Sequence, residues 1–185
     1  LKCLGIRVFT YGQLAKAGSV EELEELWGPD GAAIIKNNKK FIVLNDSKKP
    51  ELDNVERSIW TFLHEVGHFL LGHLKDKDCT CLRSDKYNRF ESETNAFVAN
   101  VLLPEEAVIK YVQQHFAEYR FIDCNQLACM RDDFCVSWSA LTARLDFLKI
   151  QTYSFSNFLI DTYKTRKDIA SRNSLFINSI DMQEI

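Results

Sequence analysis

The stretch Val55-Glu56-Arg57-Ser58-Ile59-Trp60-Thr61-Phe62-Leu63-His64-Glu65-Val66-Gly67-His68-Phe69-Leu70 decides how this chain is read. Val55, Ile59, Phe62, Leu63, Val66, Phe69 and Leu70 recur at steps of three and four, which is one apolar stripe of an α-helix. Asp53 or Asn54 can cap its start. His64 and His68 stand in the middle of this pattern, four residues apart and therefore on one helix face. Two imidazoles so placed can share one metal ion. Buried there without a partner, ionisable groups would be costly. Three of the four histidines, His64, His68 and His73, fall within ten residues, so the pattern predicts a metal site on this helix.

Glu65 follows His64 by one position, so its carboxylate projects beside the metal and can polarise a bound water and take its proton. This is the H-E-x-x-H arrangement of zinc peptidases. Zinc lowers the pKa of bound water toward ~7, which makes hydroxide available at neutral pH. Zn²⁺ is the expected ion, with another divalent ion such as Mn²⁺ as the alternative. A catalytic zinc needs three protein ligands and an open position. On a continuous helix His73 would point about 140° away from His68, which makes it a residue behind the ligands or at the helix end. The longer H-E-x-x-H-x-x-G-x-x-H pattern is absent, because Leu71 and Leu74 stand where its glycine and third histidine would be.

The next helix, Glu91 to Leu103, offers the remaining carboxylates. Glu91 shares a face with Asn95, Val98 and Leu102 and reads as inward-facing, whereas Glu93 lines up with Asn100 and reads as solvent-facing. Glu91 is therefore the expected third ligand, with Glu93 as its alternative. Asn95, one turn on, is placed to hydrogen-bond a ligand histidine from behind. Tyr87 and His73 are the candidates for stabilising an oxyanion.

Further out, Ser19 to Glu22 forms a capping box that opens a short acidic helix toward Trp27, and Gly28 to Gly31 is a turn cluster. Ala33–Ile35 and Phe41–Leu44 read as a β-hairpin with a basic tip over 36–40. Its strand Phe41–Leu44 is either an edge that pairs with an extended peptide or an ordinary core strand. Pro104 stops the Glu91 helix and precedes another, Glu105 to His115. Asp123 with Gln126, and Ser137, cap two more helices, the second running to about Lys149. Gln151 to Ile185 shows apolar spacing only at Phe155, Phe158, Leu159 and Tyr163.

The whole composition agrees with a folded chain of this size. There are 185 residues, 46% apolar, with seven Gly and three Pro, which excludes disordered and collagen-like classes. No run approaches the ~18 apolar residues of a membrane span. The net charge of −3 provides no general attraction to nucleic acid. The chain begins at Leu1 without Met or a signal-peptide pattern, which reads as a trimmed or processed start. The six cysteines read as reduced cytosolic thiols, and Cys79 with Cys81 reads as part of a solvent loop, since a thiolate metal site would need a second close pair.

Three ordered motifs resemble the ImmA/IrrE family of metallopeptidases. His64 to His68 with Leu71 and His73 resembles its H-E-[LV]-G-H-x-x-L-x-H. Glu91 to Pro104 resembles its E-x-[EQ]-A-N-x-F-A-A-x-L-L-M-P, with Thr94 and Val98 in place of Ala, Val101 in place of Leu and Leu103 in place of Met. Phe134 to Leu148 resembles its third segment, f-x-V-S-x-x-A-L-x-x-R-L-x-x-L. The likeness runs from about Leu4 to Ile150. It implies an α+β, mostly helical fold. A zincin-like core would combine a small sheet or hairpin, the H-E-x-x-H helix and a Glu-bearing helix, followed by a helical, helix-turn-helix-like C-terminal part. The expected partition is 1–120 for the peptidase core, 121–150 for the helical subdomain and 151–185 for the tail. The resemblance also implies Glu91 as third ligand, a cytoplasmic location and, as substrate, a helix-turn-helix repressor that is cleaved or inactivated.

Two other classes compete with the enzyme. Gln126 to Ile150 has a helix-turn-helix silhouette, but Arg131, Arg144 and Lys149 are balanced by Asp132, Asp133 and Asp146, which disfavours DNA binding. The metal fold could also only sequester a repressor; Glu65 argues for catalysis, since a scaffold has no need of that carboxylate.

Overall fold

The computed structural model describes residues 4–16, 30–46, 55–74, 88–116 and 121–165. The expected helix from Ser19, the caps Asp53 and Asn54, the Cys79–Cys81 pair and Tyr87 lie outside these residues. The chain gathers into two compact units, Leu1–Leu102 and Leu103–Ile185.

The first unit starts with β1 (Ile6–Thr10) and α1 (Tyr11–Lys16), followed by β2 (Gly31–Lys36) and β3 (Lys39–Leu44). β2 and β3 pair antiparallel, with Ala33 opposite Ile42. Asn37 and Asn38 make the turn at φ of 50° and 61°, the left-handed conformation that two-residue hairpins require and asparagine tolerates. The strands therefore reach Lys36 and Lys39, and the turn is shorter than the basic tip expected from the lysines. β1 pairs parallel with β3, Val8 opposite Ile42, which gives the order β1-β3-β2. Phe41–Leu44 is thus hydrogen-bonded on both sides. Of the two readings the core strand holds and the peptide edge does not, and among the described residues the hairpin's outer strand is β2.

Side chains alternate across the sheet, as the pleat dictates. Ile42 meets Ile6 and Val66 on one face, with Phe62 and Phe69 packed around them. Val43 meets Tyr11 and Ala32 on the other. The apolar stripe predicted over 55–70 forms α2 (Val55–Leu70), and it lays Val66 on the sheet. Gly67 admits the following helix, α3 (Asn88–Leu102), because a Cβ there would come within 2.9 Å of both Thr94 Cγ2 and Phe97 Cδ1.

The second unit holds α4 (Glu105–Phe116), α5 (Cys124–Phe134), α6 (Trp138–Phe147) and a helix, α7, over 153–165. The capping box predicted at Asp123 and Gln126 is present, and Ser137 caps α6. α6 ends short of Lys149, which turns the chain at φ 59° while the Ile150 amide returns to the Leu145 carbonyl. Arg144 is buried on this unit and donates from Nε to the Leu103 carbonyl at 2.9 Å. Among the described residues no helix is long and apolar enough to cross a membrane.

Candidate metal centre

α2 presents His64 and His68 one turn apart, and α3 brings Glu91 across to them. His64 Nε2 and His68 Nε2 are 3.0 Å apart. Glu91 Oε2 lies 3.1 Å from His64 Nε2, and Glu91 Oε1 lies 3.4 Å from His68 Nε2. Around four-coordinate zinc with bonds of about 2.0–2.1 Å, neighbouring ligand atoms stand roughly 3.3–3.4 Å apart, the edge of a tetrahedron. Each Nε2 therefore stands near that spacing from the other and from one oxygen of the Glu91 carboxylate, one ligand atom from each of the three residues lies within 4.8 Å of the others, and their chemistry, two imidazoles and a carboxylate, fits that ion. Among the described residues this is the one cluster of three such groups able to hold a metal.

Burial, with His64 and His73 adding to it, lowers the His68 pKa to about 4. His68 is therefore neutral at pH 7, the form in which an imidazole binds metal. Glu65 is buried and leans toward the sheet, where a Cβ on Gly31 would come 3.2 Å from Glu65 Cγ and 3.4 Å from its Oε1. β2 thus begins directly against Glu65.

Glu93 is not brought to the metal donors. Its Oε1 accepts from Arg89 Nε at 2.7 Å and its Oε2 lies 3.2 Å from His73 Nε2. Arg89 first, and His73 second, hold its carboxyl below the usual range.

His73 lies behind the ligands at the helix end, but not on a continuation of the helix. Gly72 adopts φ +71°, its amide bonds the Phe69 carbonyl, and the His73 amide returns to the His68 carbonyl at 3.0 Å. This is a Schellman turn. It folds His73 back onto His68, Nδ1 to Nδ1 at 3.0 Å, and Phe90 stacks on its ring at 4.3 Å between centroids. The sequence sign of this was Gly72 itself, two residues beyond the last apolar position.

Asn95, expected behind a ligand histidine, is exposed. Thr94 occupies that place, fully buried, with Oγ1 3.2 Å from His73 Nδ1 and 3.5 Å from His68 Nδ1. The correction follows from helix geometry. At ~100° per residue the direction midway between buried Thr94 and Val98 lies about 40° from Glu91 on the side away from Asn95, which leaves Asn95 about 80° off the packed face. Thr94 was legible only as a departure from the motif's alanine.

Compared with known proteins, the chain matches the IrrE N-terminal-like domain of the peptidase M78 family over residues 1–146. No curated protein matches it. The match spans both the H-E-x-x-H helix and Glu91, on a mostly helical zincin-like fold with a three-stranded sheet. This chain belongs to the IrrE N-terminal-like family of metallopeptidases.

Proposed function

We propose that the chain is a zinc endopeptidase of narrow specificity, acting in the cytoplasm, that cuts or otherwise inactivates a helix-turn-helix repressor. The observation that carries the zinc reading is the convergence of His64, His68 and Glu91, with nitrogen–nitrogen and nitrogen–oxygen distances of 3.0 to 3.4 Å, beside the buried Glu65. These three residues would hold the ion, which when bound supplies Lewis-acid activation of water and of the peptide carbonyl. Glu65 takes the proton of the attacking water at a carboxylate oxygen and returns it to the nitrogen of the leaving amine.

The substrate backbone is aligned by β2. Among the described residues this strand is at an edge of the sheet, it begins close against Glu65 at Gly31, and its outer backbone groups can pair with an extended peptide. A repressor as substrate is supported by the likeness in three motifs. The α5–α6 pair has the turn of a DNA reader over 135–137, but Arg131 is paired with Asp132 and Arg144 is buried. That leaves little positive charge for phosphates, and the unit reads better as a helical body.

The test uses the zinc-loaded chain and a candidate helix-turn-helix repressor, chosen from the genes that neighbour its own. The wild type should cut the repressor, a chelator should stop the cut, and Glu65→Gln should keep zinc while losing cleavage. Cleavage by Glu65→Gln at the wild-type rate removes Glu65 as the base. An intact and still active repressor after incubation with the wild type removes the substrate assignment.

A further inference from the structure

Behind the metal donors runs a line of three groups: Glu93, His73 and His68. Glu93 Oε2 is 3.2 Å from His73 Nε2, and His73 Nδ1 is 3.0 Å from His68 Nδ1. Both rings are almost wholly enclosed, with side-chain exposures of 3% and 2%. Each ring is held in place: His73 by the Schellman turn and the Phe90 stack, Glu93 by Arg89.

Two facing Nδ1 atoms bond only if one carries a proton and the other a lone pair. Glu93 settles which. An ionised carboxylate only accepts, so His73 must put its proton on Nε2. Its Nδ1 is then an acceptor, and His68 must donate from its own Nδ1. A neutral imidazole protonated at Nδ1 carries its lone pair at Nε2, the atom that faces His64 and Glu91. Thr94 Oγ1, 3.5 Å from His68 Nδ1, fits the same pattern because a hydroxyl oxygen can share as acceptor the proton that His68 donates.

We propose that Glu93 and His73 are positioning residues that lock His68 in its metal-binding tautomer. The inference rests on the metal reading above. It differs from the usual arrangement, in which a carboxylate or carbonyl contacts the ligand histidine directly, by a second imidazole standing between. It also gives Glu93 a role without making it a ligand.

The readout is zinc affinity, measured by competition with a chromophoric chelator and independent of any substrate. His73→Phe keeps a ring to stack on Phe90 but removes the acceptor, and should weaken zinc binding about 10- to 100-fold. His73→Asn loses the ring but keeps an oxygen near the Nδ1 position, and should bind within a few-fold of wild type. Glu93→Ala should weaken zinc more than Glu93→Gln, which retains an acceptor. A merely structural role for His73 predicts the reverse order, with Phe tolerated better than Asn, and that result overturns the proposal. Nitrogen-15 spectra of the zinc-loaded wild type should show His73 protonated at Nε2; protonation at Nδ1 overturns the proposal even if the variants do not fold. A wild type that takes up no zinc overturns both readings, whereas a wild type and His73→Phe of equal affinity overturn this one alone.

Discussion

Gly31 and Glu65 are in such close register that the glycine has no room for a side chain. A Cβ would stand 2.8 Å from Thr61 Cγ2 and 3.2 Å from Glu65 Cγ. Glu65 is held against the start of β2, so a shift of that strand moves the proposed base with it. Replacing Gly31 by Ala should cost about 1–3 kcal/mol by overpacking. It should also slow turnover by up to about a hundredfold, since a displacement of about 1 Å at a reacting group has that effect. Zinc content should be unchanged, because Gly31 does not touch His64, His68 or Glu91. Metal analysis alongside kcat separates these effects, and loss of zinc in Gly31→Ala would contradict the argument.

Zinc should act as a stabilising ligand of the first unit. A ligand at about 100 times its dissociation constant adds about 2.7 kcal/mol to the folded state. Wild-type protein should show that gain as a rise in Tm when zinc is added and lose it on chelation. Glu91→Ala should show no rise at the same zinc concentration. An equal rise in both would mean that Glu91 is not a ligand.

Gly72 turns the chain at φ +71°, and nothing lies within 4 Å of the position a Cβ would take. A substitution there is strained by conformation alone. Gly72→Ala should cost about 1–2 kcal/mol, the penalty of the left-handed region for a residue with a Cβ, while Gly72→Asn should cost less. Chemical denaturation measures the difference. Equal stability of the alanine and glycine proteins would show that this turn does not hold His73.

These effects mark where the sequence was readable. The α2 stripe and the pair His64 and His68 were legible because both follow from one local period, 3.6 residues per turn. Glu91 could be preferred to Glu93 from the same period. β1 was not recognised, since five residues running straight into α1 carry too short an alternation, and its parallel pairing with β3 joins segments more than thirty residues apart. That long-range pairing turned β3 from an edge into the centre of the sheet. His73 lies behind the ligands at the helix end, as its sequence position suggests, but its contact with His68 depends on the turn at Gly72, which a helical wheel does not describe; Thr94 is not legible in the same way, because a wheel gives directions around an axis but not the tilt of a neighbouring helix.

Arg144 braces the second unit from inside. Its Nε donates to the Leu103 carbonyl at 2.9 Å, and its guanidinium lies over the Phe147 ring at 5.4 Å. Arg144→Leu keeps much of the apolar bulk but strands a carbonyl that had a charged donor. The cost should be about 2–3 kcal/mol, the scale of a hydrogen bond to a charged group. A urea midpoint within a few tenths of the wild type would show that the bond contributes little.

The alkaline limb of stability should report Tyr11. Burial first, then the neighbouring charges of Glu65 and Asp30, push its phenol up to about 12. An unfolded tyrosine titrates near 10. The folded state therefore holds this proton more tightly than the unfolded chain does. The stability tied to the neutral phenol is complete below pH ~10 and falls as pH rises from there toward about 12. Tyr11→Phe cannot ionise, so its stability should fall less over the same interval. Urea midpoints of both proteins at several pH values above and below 10 give the two slopes. Identical slopes would mean that Tyr11 ionises as freely in the folded protein as in the open chain, and that Glu65 does not act on it.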